Sequence, residues 1–255
     1  MKLYTKTLGN SDKHLFLLHG LLGSSDNWQS FARLLSASYT VHLLDMRNHG
    51  RSPHSPEINY ALMAEDVNAY IIENKIFQPI IMGHSMGGKI AMYMAIDFAN
   101  ILSQIIVVDI APKTYSGGHE YIINAMRTTP LDNFSSRKEV ELWLSDSIKG
   151  VGILQFIMKN LGRNMDNSFT WNCNIAAIAN HYYDLMTFDA IGQSSIRADF
   201  IRGQLSDYIM PEDERLIKAF FPHHTIHTVA DAGHWVHADN PEGFMQVLTK
   251  ILLYT

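Results

Sequence analysis

One pentapeptide limits the folds open to this chain more than any other stretch: Gly83-His84-Ser85-Met86-Gly87. The apolar run Pro79-Ile80-Ile81-Met82 precedes it; Gly88 and the amphipathic run Lys89-Ile90-Ala91-Met92-Tyr93-Met94-Ala95 follow. A β-like run, a G-x-S-x-G and a helix-like run predict a strand, a sharp turn and a helix, with the serine pushed out of the turn. Presenting the serine that way needs a strained backbone. Strand and helix then pass so close that a Cβ at Gly83 or Gly87 would clash. The N–H of Met86, at the start of the predicted helix, is placed to face a developing negative charge. A Gly-Ser turn between a strand and a helix needs no chemistry, so the pentapeptide alone is a weak sign. Its partners must be found elsewhere in the chain.

The runs around it repeat one rhythm. Residues 1–9 read as a short strand. His14-Leu15-Phe16-Leu17-Leu18 reads as a buried parallel strand ending in His19-Gly20. A helical stretch carrying Trp28, Phe31, Leu34 and Leu35 follows. Residues 39–44 form the next strand, running into the polar loop Asp45-Met46-Arg47-Asn48-His49-Gly50-Arg51-Ser52. Helical spacing covers 62–77, and Ile105-Ile106-Val107-Val108 is a further buried strand ending at Asp109. Alternating strands and helices predict an α/β fold, a mostly parallel sheet with helices on both faces. In such sheets the site lies outside the carboxyl ends of the strands. Gly20, Asp45, Ser85 and Asp109 all stand there.

From residue 113 the character changes. Helix-like stretches cover about 118–128, 136–148 (Ser136 and Glu139 in capping-box spacing), 151–161 and 174–187. Residues 162–171 fit a small hairpin with its turn near Asp166-Asn167. The strand rhythm resumes at 198–202, before the loop Gly203-Gln204-Leu205-Ser206-Asp207. A helix over 211–221, a last strand over 224–229, the loop Asp231-Ala232-Gly233-His234-Trp235 and a closing helix from Pro241 complete the chain. The expected division is a core of 1–112 and 196–255, with 113–195 inserted as a helical cap over the strand ends.

Composition excludes several classes. A net charge of -5 with no basic stretch argues against nucleic acid as the main partner. A single cysteine, Cys173, rules out an intramolecular disulfide framework. The N-terminus has no apolar segment of the secretory kind, and no run approaches membrane-spanning length. The expectation is a cytoplasmic protein without membrane insertion. No histidine or cysteine spacing fits a zinc site, so no metal is expected.

A serine hydroxyl needs a base within hydrogen-bond reach, and the base needs a third group to orient it. His234 is the base candidate, because it follows the last strand and precedes the last helix. His237 and the His223, His224 and His227 group lack that position and read as surface or packing residues. The acid is Asp109 or Asp207, each in a loop after a strand; Asp109 is preferred and Asp207 is the alternative. The oxyanion donors expected are the N–H groups of Leu21 and Met86. For Arg47, Lys89 and Arg127 a solvated or structural role is preferred, and contact with an anionic substrate tail is the alternative. Aromatic residues such as Phe134, Trp143, Phe156 and Trp171 read as cap core or pocket lining, and the sequence does not identify a substrate-binding set.

Taken together, these pieces resemble the α/β-hydrolases along the whole chain, and within them the YbfF-type bacterial esterases. The resemblance rests on His19-Gly20-Leu21, Asp45-Met46-Arg47-Asn48-His49-Gly50, Gly83-His84-Ser85-Met86-Gly87-Gly88-Lys89, Val108-Asp109-Ile110-Ala111-Pro112 and Ala232-Gly233-His234-Trp235-Val236-His237-Ala238. It implies a serine esterase or thioesterase acting on small-molecule acyl esters, acyl-CoA thioesters among them, without a cofactor. It also implies an acid outside the usual late position, which is Ser206 here, and so favours Asp109. A carbon–carbon hydrolase, a cofactor-free haloperoxidase and a ligand-binding receptor on the same fold are the alternatives.

Overall fold

Apolar runs without polar alternation have to be covered on both sides, and here they form the middle of one sheet. The protein, seen as a computed structural model, is described over residues 1–253. In chain order the elements up to the middle strand are β1 (Thr5–Leu8), β2 (His14–Leu18), α1 (Gln29–Leu35), β3 (Thr40–Leu44), α2 (Tyr60–Glu73), β4 (Ile80–His84), α3 (Met86–Asp97) and β5 (Gln104–Val108). An extra helical region follows: α4 (Glu120–Thr128), α5 (Arg137–Ser147), α6 (Val151–Met158), the hairpin β6 (Leu161–Arg163) and β7 (Phe169–Trp171), α7 (Ile175–Asn180) and α8 (Tyr182–Met186). The chain closes with β8 (Arg197–Gly203), α9 (Glu214–Phe220), β9 (His224–Val229), α10 (Val236–Asp239) and α11 (Pro241–Leu253).

The main sheet has seven strands in the order β1-β3-β2-β4-β5-β8-β9. Only β1 runs antiparallel to its neighbour. Successive side chains on a strand face opposite sides. Phe16, Leu18, Ile81, Ile105, Val107 and Phe200 therefore pack on one face with α2, α3 and the extra helical region. Leu15, Leu17, Val41, Met82, Ile106 and Val108 pack on the other with Trp28 and Phe31 and with Phe244 and Leu248 of α11. This two-sided burial fixes the carboxyl ends of β2, β4, β5 and β8 side by side, and the site is assembled from them.

Several boundaries differ from the sequence reading. The helix expected over 62–77 starts at Tyr60, where the Asn59 side chain accepts the Leu62 N–H at 2.8 Å. It stops at Glu73, because Lys75 takes a left-handed φ of 52°. The stretch 174–187 is two short helices broken at His181, not one. The stretch 151–161 ends as a helix at Met158, where the chain turns into β6. The one-turn helix α10 had no sequence signal beyond the loop around His234.

Candidate active site

Ser85 sits between β4 and α3 with φ 53° and ψ -112°, a conformation that costs an ordinary side chain free energy. Its N–H donates to Val108 O at 2.9 Å, locking the turn to β5. A Cβ at Gly83 would collide with the carbonyl of Gly87, and one at Gly87 with the backbone of Leu18. Both glycines are needed for strand and helix to close on the serine.

The His234 Nε2 lies 3.1 Å from Ser85 Oγ, and its Nδ1 lies 2.9 Å from Asp109 Oδ2. A carboxylate accepts, so the imidazole proton sits on Nδ1 and leaves Nε2 free to take the serine proton. Asp109 is fully buried, and its Oδ1 accepts the Gly203 N–H at 2.9 Å. Its Oδ2 also accepts the Ser206 hydroxyl. Burial pushes this carboxyl above the usual carboxylate range, and the bonds from Ser206 and Gly203 oppose that push. Burial holds the His234 imidazole below its usual value, which keeps it neutral at pH 7. Asp207 is exposed, and among the described residues no hydrogen bond joins it to His234. The geometry brings Ser85, His234 and Asp109 together and leaves Asp207 at the rim.

Two supports of the imidazole gave no sequence signal. The Tyr208 ring stacks on it at 3.6 Å between centroids with planes 15° apart. The His84 Nε2–H donates to the His234 carbonyl at 2.8 Å, fixing the backbone that carries the ring. His84 directly precedes the serine, so one turn holds the Ser85 and His234 side chains in register.

Leu21 follows β2, and Met86 is the first residue of α3, where helical N–H groups have no intrahelical partner. Among the described residues neither N–H donates to a protein acceptor, and both residues line a small pocket with Ser85. The loop bearing Leu21 is held by the loop after β3. Met46 N–H donates to His19 Nε2 at 3.0 Å, Leu22 N–H to His49 Nε2 at 3.2 Å and Ser25 N–H to Asp45 Oδ1 at 2.6 Å. Burial drives His49 down to about 3, so its ring stays neutral and can accept. The Asp45–Gly50 run thus supports the loop.

The three cations considered for an anionic tail are each engaged by protein partners, and Lys89 also lines the small pocket beside Ser85. Arg47 grips Asp66 through two hydrogen bonds of 2.7 and 3.0 Å, both side chains buried. Lys89 donates to the carbonyls of Met186 and Thr187 at 2.8 Å each. Arg127 bonds Asn124 on its own helix at 3.2 Å. His237 packs on Trp28, 4.4 Å between ring centroids, and His227 bonds Asp199 at 2.7 Å. Among the described residues no group of three or more His, Cys, Asp or Glu side chains is arranged for a metal ion, and no helix is long and apolar enough to cross a membrane.

Ser85 opens onto two spaces. One is a cleft of about 850 Å³ whose lining includes His119, Phe156, His234 and Trp235. The other is a pocket of about 20 Å³.

Known proteins share this arrangement of elements. A family model described as alpha/beta hydrolase fold matches residues 13–137. Over 247 residues the chain is 35% identical to the sn-1-specific diacylglycerol lipase ABHD11 of Mus musculus, covering 93% of this chain and 80% of that protein. Over 257 residues it is 30% identical to Esterase YbfF of Escherichia coli (strain K12), covering 99% of each. Among solved structures, one described as a marine microorganism esterase superposes with a TM-score of 0.95 at 37% identity, covering 98% of each chain.

Proposed function

This chain belongs to the α/β-hydrolase family, and from that premise we propose that it is a serine esterase working through an acyl-enzyme. The reading takes Ser85 as nucleophile, His234 as general base and then acid, and Asp109 as the group that orients the imidazole. The observation that carries it is the continuous chain Ser85 Oγ, His234 Nε2, His234 Nδ1, Asp109 Oδ2, with links of 3.1 and 2.9 Å. Names of similar proteins, an esterase and a diacylglycerol lipase among them, support an ester as substrate. Thioesters such as acyl-CoA fit the same chemistry.

The Ser85 oxygen attacks the acyl carbonyl while its proton passes to His234 Nε2. The oxyanion is met by the N–H groups of Leu21 and Met86, for which no protein acceptor competes among the described residues. His234 then protonates the leaving oxygen or sulfur, the acyl–heteroatom bond breaks, and water deacylates the serine by the reverse route. Residues 113–195 act as a cap: His119, Leu185 and Met186 from this region line the spaces beside Ser85. A neutral buried imidazole is the form a general base requires.

The test is hydrolysis of p-nitrophenyl acetate by wild type and Ser85→Ala, with thermal melting as a check on folding. The expected result is loss of turnover by at least three orders of magnitude at an unchanged melting temperature. A folded Ser85→Ala protein with wild-type turnover would overturn the reading.

A further inference from the structure

We infer that the site sorts its substrate by size, taking a short acyl group of about two to three carbons into the small pocket and the leaving group into the large cleft. The inference rests on the esterase reading of Ser85, His234 and Asp109. Ser85 lines both spaces, but His234 lines only the cleft. The imidazole that accepts the serine proton must deliver it to the leaving oxygen or sulfur as that atom parts from the acyl carbon. The leaving group therefore lies on the imidazole side, in the cleft of about 850 Å³. The acyl carbon bonds to Ser85 Oγ with its carbonyl oxygen toward the Leu21 and Met86 N–H groups. Its chain is left with the other direction, where Met86 lines only the pocket and Leu21 lines both spaces.

That pocket is narrow and its wall is fixed. Tyr60, Lys89, Tyr115, Leu185, Met186 and Tyr208 enclose about 20 Å³. One water-sized group needs about 10–15 Å³ on this measure, so an acetyl methyl fits and an extended chain does not. The backbone of the wall is pinned to the core. Tyr60 hydroxyl donates to Leu185 O at 2.6 Å, Lys89 Nζ to Met186 O and Thr187 O at 2.8 Å each, and Tyr115 N–H to Met186 O at 3.0 Å. Lys89 lies one helical turn after Ser85 and is 2% exposed. The helix that carries the nucleophile thereby also sets the pocket's far wall. All these bonds go to main-chain carbonyls, so trimming the half-buried Met186 side chain enlarges the pocket without releasing its frame.

The experiment measures kcat/KM for p-nitrophenyl acetate, butyrate and octanoate, and for ethyl, hexyl and 2-phenylethyl acetate, with wild type, Ser85→Ala and Met186→Ala. Expected is a fall of at least tenfold from acetate to octanoate, with butyrate between them, and less than threefold change across the three alkyl acetates. Met186→Ala should raise the octanoate-to-acetate ratio at least fivefold. Wild type cleaving octanoate as fast as acetate, or folded Met186→Ala with an unchanged ratio, overturns the pocket assignment and leaves the esterase reading standing. The wild-type series decides the matter even if the variant does not fold. Absence of Ser85-dependent turnover on every one of these esters overturns the esterase reading and the size rule with it.

Discussion

Ser206 donates its hydroxyl to Oδ2 of Asp109, the same oxygen that faces Nδ1 of His234. Asp109 stands at the end of β5 and Ser206 in the turn after β8, so the neighbouring strand ends share the support of one imidazole. A hydrogen bond to a charged acceptor contributes about 1.5–3 kcal/mol. Ser206→Ala is therefore expected to lower kcat for p-nitrophenyl acetate about 10–100-fold while KM stays within twofold. An unchanged kcat would mean that the hydroxyl does not help hold the carboxylate.

Asp109→Asn removes the negative charge behind His234 and presents Nδ1 with a group that can donate. Loss of kcat by about 10³–10⁴ is expected, with the fold retained. Asp207→Asn, on an exposed side chain, is expected to stay within threefold of wild type. Steady-state kinetics on both variants checks the pair, and the opposite ranking would move the acid to Asp207.

The pH profile has a definite sign. The base works only when neutral, and activity is lost as pH falls through its pKa. Burial, reinforced by His119, lowers that value from 6.5. The acid limb of kcat/KM should accordingly have its midpoint below pH 6.5. A midpoint above pH 7 would contradict the burial effect.

Far from the site, Asp199 is buried in β8 and accepts from His227 at 2.7 Å, Gln104 at 2.7 Å and Arg197 at 2.9 Å. Burial pushes its carboxyl up, but these donors outweigh it and hold it below 3.8. A carboxyl depressed in the folded state stabilises above its unfolded value and loses that contribution as pH falls through the folded one. Asp199→Asn should cost about 2–4 kcal/mol in urea unfolding at pH 7. The gap should shrink below pH 4, and a gap independent of pH would show that charge is not the cause.

The sheet and the serine turn were legible because each leaves a local mark. Apolar runs such as 105–108 have no polar alternation, and Gly83 and Gly87 stand where only glycine fits. His234 was legible from its place between the last strand and the last helix. What stands behind it was legible only as a preference for Asp109 over Asp207, because Asp109 and Ser206 meet across two strands separated by more than 80 residues of helical insertion, and no spacing encodes such a contact. Lys89 was better read as structural than as a contact for an anionic tail, and its partners are main-chain carbonyls at residues 186 and 187, which no local spacing could have named. Tyr208 and His84 were invisible as supports, since stacking and a bond to a carbonyl place no demand on neighbouring sequence.

The most direct measurement is mass-spectrometric mapping of the protein after reaction with a fluorophosphonate, alongside residual hydrolysis of p-nitrophenyl acetate. The expected result is one equivalent of label on Ser85, with activity falling in proportion to labelling. Label on another residue, or full activity with Ser85 completely modified, would contradict the assignment of Ser85 as the nucleophile.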